Sequence, residues 1–486
     1  MHLRKLTLTN MRAFRTAEFD FLGKAGVHLI VGINGVGKST VLEALRVLLS
    51  KIIPEIEKTG VQPDTFATKD KAFITEGEKF LAASLTGEVM NYPFFNIVDH
   101  KAQASVEDNR PVGPKVRASR LKRSSEKPDP NLRDSNREQT VETPDVADFF
   151  FQLPPTDERA IALELASKSG SNSAISAPDK DVLLKEVQAK LVATKQKVLA
   201  VYYSPHRSLT TRKTAKVGRT QKAAYVEALD DERRFSIKDI ADWWSIREQA
   251  ALDRKDRSEI TEIEALFKHV VSTFLDACDN LQLATADDKR DRQLLLTKNG
   301  HTLGVSQLSD GERSVLALTL DLARRLYLAN PGLPKPTSNG TAIVLIDELD
   351  LHLHPGWQRD VIQRLETTFP KCQFIASTHS VQIIGEVQPD RVTWLIAGRS
   401  PFKRAQSYGL EAGWIIEFLM GVPNRNIGVA KELENANQSL AKQDFPEAHR
   451  ALDEARKLMH GPDGELTELE AATDSLEALY DTDAED

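Results

Sequence analysis

Cysteine and long apolar runs are scarce in this chain of 486 residues. Its two cysteines, Cys278 and Cys372, are too few for a disulfide framework and indicate reduced thiols, as in the cytoplasm. No apolar run approaches the ~18 residues of a membrane span, so we expect no membrane partner. The N-terminal residues alternate as in a strand and do not resemble a signal peptide. We therefore predict a cytoplasmic protein.

Net positive charge is also lacking. The formal net charge is −7, which excludes a general binder of polyanions, so any contact with nucleic acid must be local. One basic stretch lies within residues 101–145 and contains Arg117, Arg120, Lys122 and Arg123. A second contains Arg212, Lys213, Lys216, Arg219 and Lys222. Each is a candidate contact for nucleic-acid phosphates, and for the first a solvated charged loop is the alternative.

A glycine-rich segment, GINGVGKST from Gly32 to Thr40, stands between an apolar run and a helical pattern. Its spacing is that of a phosphate-binding loop between a strand and a helix. Loop amides and the helix N-terminus would face phosphate oxygens, Lys38 would reach the β- and γ-phosphates, and the Ser39 hydroxyl would bind Mg²⁺. The residues that we expect to contact the nucleotide here are Asn34, Gly35, Gly37, Lys38, Ser39 and Thr40.

Two acids follow a second apolar run, Ile343 to Ile346, which has the composition of a strand buried on both faces of a parallel sheet. At the carboxyl end of that strand, Asp347 would hold Mg²⁺ and Glu348 would polarise an attacking water. An acidic cap for the next helix is the alternative interpretation. The acids thus predict nucleotide hydrolysis, with ATP and Mg²⁺ as cofactors.

Two further motifs complete the candidate site. His379 also follows an apolar segment, and a neutral imidazole there would contact a γ-phosphate; a capping or core histidine is the alternative. In the stretch LSDGER, Ser309 and Gly311 precede a helical run and would form an anion-binding N-terminus. A simple helix N-cap is the alternative for Ser309.

The order of these motifs along the chain (phosphate loop, LSDGER, LIDELD, STHS) resembles ATPases of the ABC superfamily. The resemblance is to the soluble branch with the structural-maintenance, RecF-like and OLD-like proteins. It implies a head-to-tail dimer or higher homo-oligomer, in which Ser309 and Gly311 contact ATP held by another chain and His379 is the switch histidine. The segment from Asn10 to Arg15 resembles one in RecF-like heads, which places Arg12 near the adenine; a surface turn is the alternative.

Within that branch, the chain resembles PtuA-type ATPases of Septu and retron-associated anti-phage systems. Three segments carry this resemblance: Glu348 to Pro355, Ile240 to Ala251, and Ser407 to Pro423. It implies a separate HNH nuclease subunit like PtuB, and a nucleic-acid partner that includes a retron reverse transcriptase–DNA complex. The alternatives are a DNA-repair or recombination ATPase without a nuclease, an OLD-like ATPase–nuclease, and the ATPase of a membrane transporter.

The resemblance implies an α/β fold with an ABC-type head: a mainly parallel sheet with flanking helices, a small antiparallel sheet and a helical signature subdomain, followed by a C-terminal helical tail. We expect residues 1–100 to form the first part of the head, residues 101–145 a basic, disordered insertion, residues 146–410 the second part of the head, and residues 411–486 an acidic helical region. Trp243 and Trp244 are expected to pack in the helical subdomain, with base stacking as the alternative.

Overall fold

The computed structural model describes residues 1–64, 75, 80–90, 92–101, 146–151, 180–205, 220–231, 237–285, 292–403 and 406–484. Residues 102–145 of the predicted insertion lie outside the described residues, as does the second basic cluster apart from Lys222. No helix in the described ranges is both long enough and apolar enough to cross a membrane.

Strands of the described regions are β1 His2–Met11, β2 Phe14–Asp20, β3 Gly26–Gly32, β4 Phe80–Val89, β5 Tyr92–Lys101, β6 Val146–Phe151, β7 Leu199–Tyr203, β8 Cys278–Thr285, β9 Arg292–Lys298, β10 His301–Gly304, β11 Ala342–Ile346, β12 Gln373–Thr378 and β13 Val392–Leu395.

Helices of the same regions are α1 Lys38–Glu57, α2 Lys180–Ala193, α3 Ile237–Arg254, α4 Ser258–Phe274, α5 Asp310–Ala329, α6 Pro336–Asn339, α7 Pro355–Thr368, α8 Val381–Gly385, α9 Ala412–Trp414, α10 Ile427–Ala441, α11 Phe445–Leu458 and α12 Gly464–Ala484. A π-helical turn, Ile415–Leu419, continues α9.

A parallel sheet forms the centre of the head. Its strand order is β13-β3-β12-β11-β7, so the two strands that precede the glycine loop and the acids flank β12. All residues of β7, β11 and β12 are buried, because their sequences are nearly continuous apolar runs and both faces of the sheet are covered. Since all its strand pairs are parallel, the carboxyl ends of β3, β11 and β12 meet at one edge.

Two antiparallel sheets accompany it. One has the order β2-β1-β4-β5-β6, and the other, β10-β9-β8, is made of strands that the sequence patterns did not single out. The side chain of Gln373, fully buried at the start of β12, joins the parallel sheet to the first of these. Its amide oxygen accepts from Leu3 N at 2.6 Å, and its amide nitrogen donates to Leu3 O at 2.9 Å and Phe21 O at 3.1 Å. The predicted α/β fold class, with a parallel sheet, antiparallel strands and C-terminal helices, is confirmed.

The tryptophan pair lies inside the helical part of the head. Trp243 and Trp244 on α3 are both buried, and their ring centroids lie 6.0 Å and 5.3 Å from that of Phe267 on α4. These contacts confirm core packing and leave no ring face open to a nucleic-acid base. Helix α5 packs against the same helix pair, and Tyr327 near its end contacts the Trp243 ring edge-on, with centroids 6.1 Å apart.

The C-terminal helices α10, α11 and α12 have an apolar cluster of their own, separate from the main core. Val429 and Leu433 on α10 pack there with Ala451 and Ala455 on α11 and Leu466 on α12. The hairpin between α10 and α11 turns at Lys442–Asp444. Small alanines on α11 let the hairpin helices approach closely.

Candidate nucleotide-binding site

The glycine loop lies between β3 and α1, as the spacing predicts. Gly35 has a φ of 82° and open space where a Cβ would stand, and Gly37, the N-cap of α1, has a φ of 104°. A Cβ on Gly37 would lie 2.6 Å from Cζ of Phe14, so only glycine fits between the loop and the start of β2. Asn34, Gly35 and Ser39 are exposed, whereas Thr40 is buried in the first turn of α1.

Lys38, the first residue of α1, extends its side chain back to the start of this loop. Its Nζ donates hydrogen bonds to the carbonyl oxygens of Gly32 and Ile33, each at 3.0 Å, and the side chain is buried. Burial lowers the pKa of Lys38 below its ordinary value, while the nearby carboxylates of Asp347, Glu348 and Asp350 oppose that shift. Two loop carbonyls thus hold the ammonium at the start of the loop.

Asp347 and Glu348 follow β11 at the same edge of the sheet. Asp347 is buried, and its backbone N–H donates to Tyr203 O at 2.9 Å. The hydroxyl of Ser377 donates to the Asp347 carboxylate and accepts from Glu348 N at 2.8 Å, so one side chain holds both acids. Glu348 has a φ of 53°, a left-handed conformation that is costly for a residue with a Cβ. Such strain is typical of functional sites.

His379, directly after β12, joins this cluster. Burial, followed by the charge of Lys38, lowers its pKa below the ordinary value, and the carboxylates of Asp350, Glu348 and Asp347 act against the shift. The imidazole is therefore neutral near pH 7. The carboxylate of Asp350 accepts from His379 N at 3.3 Å and from the Thr378 hydroxyl at 2.7 Å, which fixes the backbone at this strand end.

Ser309 and Gly311 lie at the start of α5. Ser309 is the exposed N-cap of this helix, in a reciprocal capping box with Glu312. Gly311 lies so close to the carbonyl oxygen of His352, on the loop that follows the two acids, that a Cβ would not fit. The N-cap alternative for Ser309 is thus realised, and the same geometry leaves the helix N-terminus accessible to an anion.

Arg12 lies in the turn between β1 and β2, with a φ of 48°. Its guanidinium donates to the carboxylate of Glu43 on α1 at 2.9 Å, so the turn is attached to the helix that follows the phosphate loop. Phe14, two residues later, contacts Gly37. This places Arg12 beside the phosphate loop.

The donor groups fit a magnesium-bound nucleotide. Asp347 and Ser39 offer the hard oxygen ligands that Mg²⁺ prefers, and Mg²⁺ usually completes its shell with phosphate oxygens and water. No group of three or more His, Cys, Asp or Glu side chains able to hold a metal exists in the described part of the chain.

Sequence reasoning missed two residues of this site, Ser377 and Asp350. Neither has a chemical role of its own in the motifs, because each acts by holding a neighbour: Ser377 binds the two acids, and Asp350 binds the backbone of His379. Their positions directly beside motif residues were the available signal.

The family model for an AAA ATPase domain matches residues 1–384. The chain is 26% identical to the "Retron Ec83 probable ATPase" of Escherichia coli, across 87% of this chain and 77% of that protein. It is 41% identical to the "Septu protein PtuA" of Bacillus mycoides, across 16% of this chain and 10% of that protein. Among solved structures, the SMC head bound to the C-winged helix domain of ScpA has a TM-score of 0.43 at 12% identity, covering 83% of this chain and 98% of that chain.

These matches confirm the predicted resemblance to retron-associated and Septu ATPases, and they confirm ATP hydrolysis as the reaction. The family match spans β3, β11, β12 and all of α8 except its last residue. The chain belongs to the AAA ATPase domain family and is an ATPase.

Proposed function

We propose that this ATPase closes as a head-to-tail homodimer around ATP, and that closure regulates a separate HNH nuclease subunit in anti-phage defence. The observation that carries the proposal is the cluster at one edge of the parallel sheet. There Lys38 interacts electrostatically with Asp347 and Glu348, and His379 interacts with all three. A cation for phosphate, an acid for metal and an acid for water are the parts that phosphoryl transfer to water needs.

Each residue has a distinct task in the reaction. Lys38 exchanges its two carbonyl partners for phosphate oxygens, and the loop amides bind the remaining charge. Ser39 and Asp347 would hold Mg²⁺, which would supply positive charge to offset that of the phosphates. Glu348 orients the water and accepts its proton, and neutral His379 donates a hydrogen bond toward the γ-phosphate. Arg12 contacts the adenine side of the nucleotide.

A second chain supplies the remaining contacts. Ser309 is exposed at the N-terminus of a helix of 20 residues, which is a favourable place for an anion. A head-to-tail arrangement brings Ser309 and Gly311 of one chain to the nucleotide on the other. Two nucleotides would then bridge the two chains.

Replacing Glu348 with glutamine tests the catalytic assignment. The amide cannot take a proton from water, so hydrolysis should fall at least ~100-fold, whereas ATP binding should persist. The variant should also accumulate as an ATP-bridged dimer in size-exclusion chromatography with ATP. Hydrolysis near the wild-type rate would show that Glu348 does not direct the water.

A mixing experiment tests the two-chain site. Lys38→Ala removes the phosphate partner of one chain but leaves its signature helix intact, and Ser309→Arg does the reverse. Each variant alone should be inactive, and exchanged heterodimers should regain part of the ATPase activity at the one intact composite site. Absence of recovery in verified heterodimers would overturn the head-to-tail dimer.

The nuclease partner is proposed to dock on the C-terminal helices. They lie beyond every nucleotide motif, have their own apolar cluster, and carry acidic faces suited to a basic nuclease. The resemblance to retron ATPases adds a reverse transcriptase–DNA complex as the nucleic-acid partner. Ending the chain near Gly428 should therefore leave an ATP-binding head that no longer co-purifies with an HNH nuclease encoded in a neighbouring reading frame.

A second test keeps the helices and changes only their charge. Glu434 on α10 and Glu468 on α12 are exposed, and their replacement by lysine should weaken recovery of the nuclease without changing the melting temperature. Undiminished nuclease recovery with the truncated chain would show that docking occurs elsewhere. A large drop in melting temperature after truncation would mean that the helices stabilise the head. DNA-stimulated ATPase activity without any nuclease partner would favour the DNA-repair alternative.

A further inference from the structure

The carboxylate of Glu312 on α5 lies between Ser309, the N-cap of that helix, and Lys298, the last residue of β9. One oxygen, Oε2, accepts hydrogen bonds from Ser309 N at 3.0 Å and from the Ser309 hydroxyl at 2.9 Å. The other oxygen, Oε1, accepts from Nζ of Lys298 at 2.5 Å. Lys298, Glu312 and Ser309 thus form one continuous chain of hydrogen bonds that ends at the exposed N-cap.

Lys298 is held on a rigid element. It is the last residue of β9, the central strand of the sheet β10-β9-β8, and is paired with His301 on one side and Cys278 on the other. The tight turn that follows has positive φ angles at Asn299 (51°) and Gly300 (79°), as two-residue hairpin turns require. A side chain on such a strand is a more precise support than one on a loop.

The ionisation of the pair agrees with this geometry. Burial alone would raise the pKa of Glu312, yet the hydrogen bonds from Lys298 and Ser309 outweigh it and lower that pKa. The hydrogen bond to Glu312 raises the pKa of Lys298. Both groups are therefore charged at neutral pH, and the ammonium offsets a carboxylate that directly contacts the signature hydroxyl.

We propose that Lys298 is a positioning residue for ATP hydrolysis: through Glu312, it holds the Ser309 hydroxyl in place and neutralises the carboxylate behind it, so that Ser309 can receive the γ-phosphate of ATP bound to a second chain. This inference rests on the head-to-tail dimer proposed above. Without Lys298, the Glu312 carboxylate would be an uncompensated negative charge next to a triphosphate, and it would repel the ligand that Ser309 must contact.

The decisive variant is Lys298→Met, which keeps the length of the side chain and removes the ammonium. Binding of ATP to a single chain should be unchanged, because the phosphate loop is untouched, and kcat should fall about tenfold, the usual size of one charge-assisted hydrogen bond. Lys298→Arg should restore most of the activity. The double variant Lys298→Met/Glu312→Gln should also have a higher kcat than Lys298→Met, since glutamine preserves the capping box without the charge. Lys268→Met, at an exposed position of α4, is the matched control and should behave as wild type.

Mixing separates a signature defect from a general one. Lys298→Met chains have an intact phosphate loop, so they should recover activity with Lys38→Ala chains, which offer an intact signature helix. They should not recover with Ser309→Arg chains, because both partners are then deficient at the signature. A wild-type kcat for Lys298→Met, or equal behaviour in the two mixtures, would overturn the role of Lys298.

The mixture of Lys38→Ala with Ser309→Arg distinguishes the two proposals. Recovery in that control, together with normal activity of Lys298→Met, would overturn only the positioning role. Failure of that control would overturn the two-chain site and this inference with it. If Lys298→Met melts well below Lys268→Met, the double variant and Lys298→Arg decide: a kcat that does not rise in either one contradicts charge compensation.

Discussion

Replacing Ser377 with alanine should weaken both the fold and the catalytic site, because one buried hydroxyl holds two acids. The Ser377 hydroxyl donates to the Asp347 carboxylate and accepts from Glu348 N at 2.8 Å. Both Ser377 and Asp347 are almost completely buried, so water cannot readily replace the lost bonds. The substitution removes only the hydroxyl group and adds no bulk.

The magnitude follows from the two bonds. A hydrogen bond to a charged group contributes about 1.5–3 kcal/mol, and a neutral one about 1 kcal/mol, so the free energy of unfolding should fall by about 2.5–4 kcal/mol. Asp347 would lose the donor that orients its carboxylate, which we propose binds Mg²⁺, and the backbone N–H of Glu348 would lose its acceptor. Outer-sphere partners of metal ligands usually account for ~10–100-fold in metal affinity or activity. We expect kcat to fall by a similar factor and the MgCl2 concentration needed for half-maximal activity to rise.

Ser50→Ala is a closely matched control. Ser50 is also a buried serine that donates one bond, to Val47 O at 2.7 Å, and accepts one, from Asp64 N at 2.8 Å, but it lies on α1 away from the acids. The assays are chemical denaturation of each variant and steady-state ATPase activity over a titration of MgCl2. The reasoning is refuted if Ser377→Ala loses stability like Ser50→Ala and yet keeps the kcat and the Mg²⁺ dependence of the wild type.

Two other outcomes are expected. Gly37→Ala should weaken ATP binding more than Gly35→Ala, measured as two Kd values, since both positions have positive φ but only Gly37 is blocked, by Phe14 at 2.6 Å; equal Kd values would contradict the steric argument. His28 tests a pH dependence: burial lowers its pKa from 6.5 to about 4 in the folded state, so the unfolded chain binds a proton that the folded chain does not, and stability should fall by up to about 3 kcal/mol as pH drops from about 6.5 to 4. His28→Gln should flatten this part of the curve in denaturation experiments at a series of pH values, and an unchanged slope would show that another group is responsible.

The sequence predicts the edge of the parallel sheet well because the relevant residues are local to their strands. An apolar run followed by Asp347 and Glu348, or by His379, specifies both a buried strand and a polar group at its carboxyl end. Parallel pairing then brings these ends together without further information. The left-handed backbone of Glu348 could not be predicted in this way, since glutamate has no preference for that conformation.

Partners that are distant in sequence were not predictable. Lys298 lies on β9 and binds Glu312 on α5. The sequence patterns did not indicate the sheet β10-β9-β8, because its short strands have mixed burial and lack a clear alternation. The attachment of Arg12 to Glu43 likewise depends on how the first antiparallel sheet rests on α1. Side-chain contacts between different elements follow from packing, and a single sequence does not contain a periodic signal for them.

The bonds of Gln373 have a consequence for how the molecule opens. Leu3 N–H is bound by a side chain of another sheet, so its hydrogen exchange reports the separation of the two sheets and not the fraying of the antiparallel ladder. The same strand, β12, carries Ser377 near its other end and leads directly into His379. Protection of the Leu3 amide, compared in the presence and absence of nucleotide, would therefore show whether closure at the catalytic edge tightens the opposite end of β12.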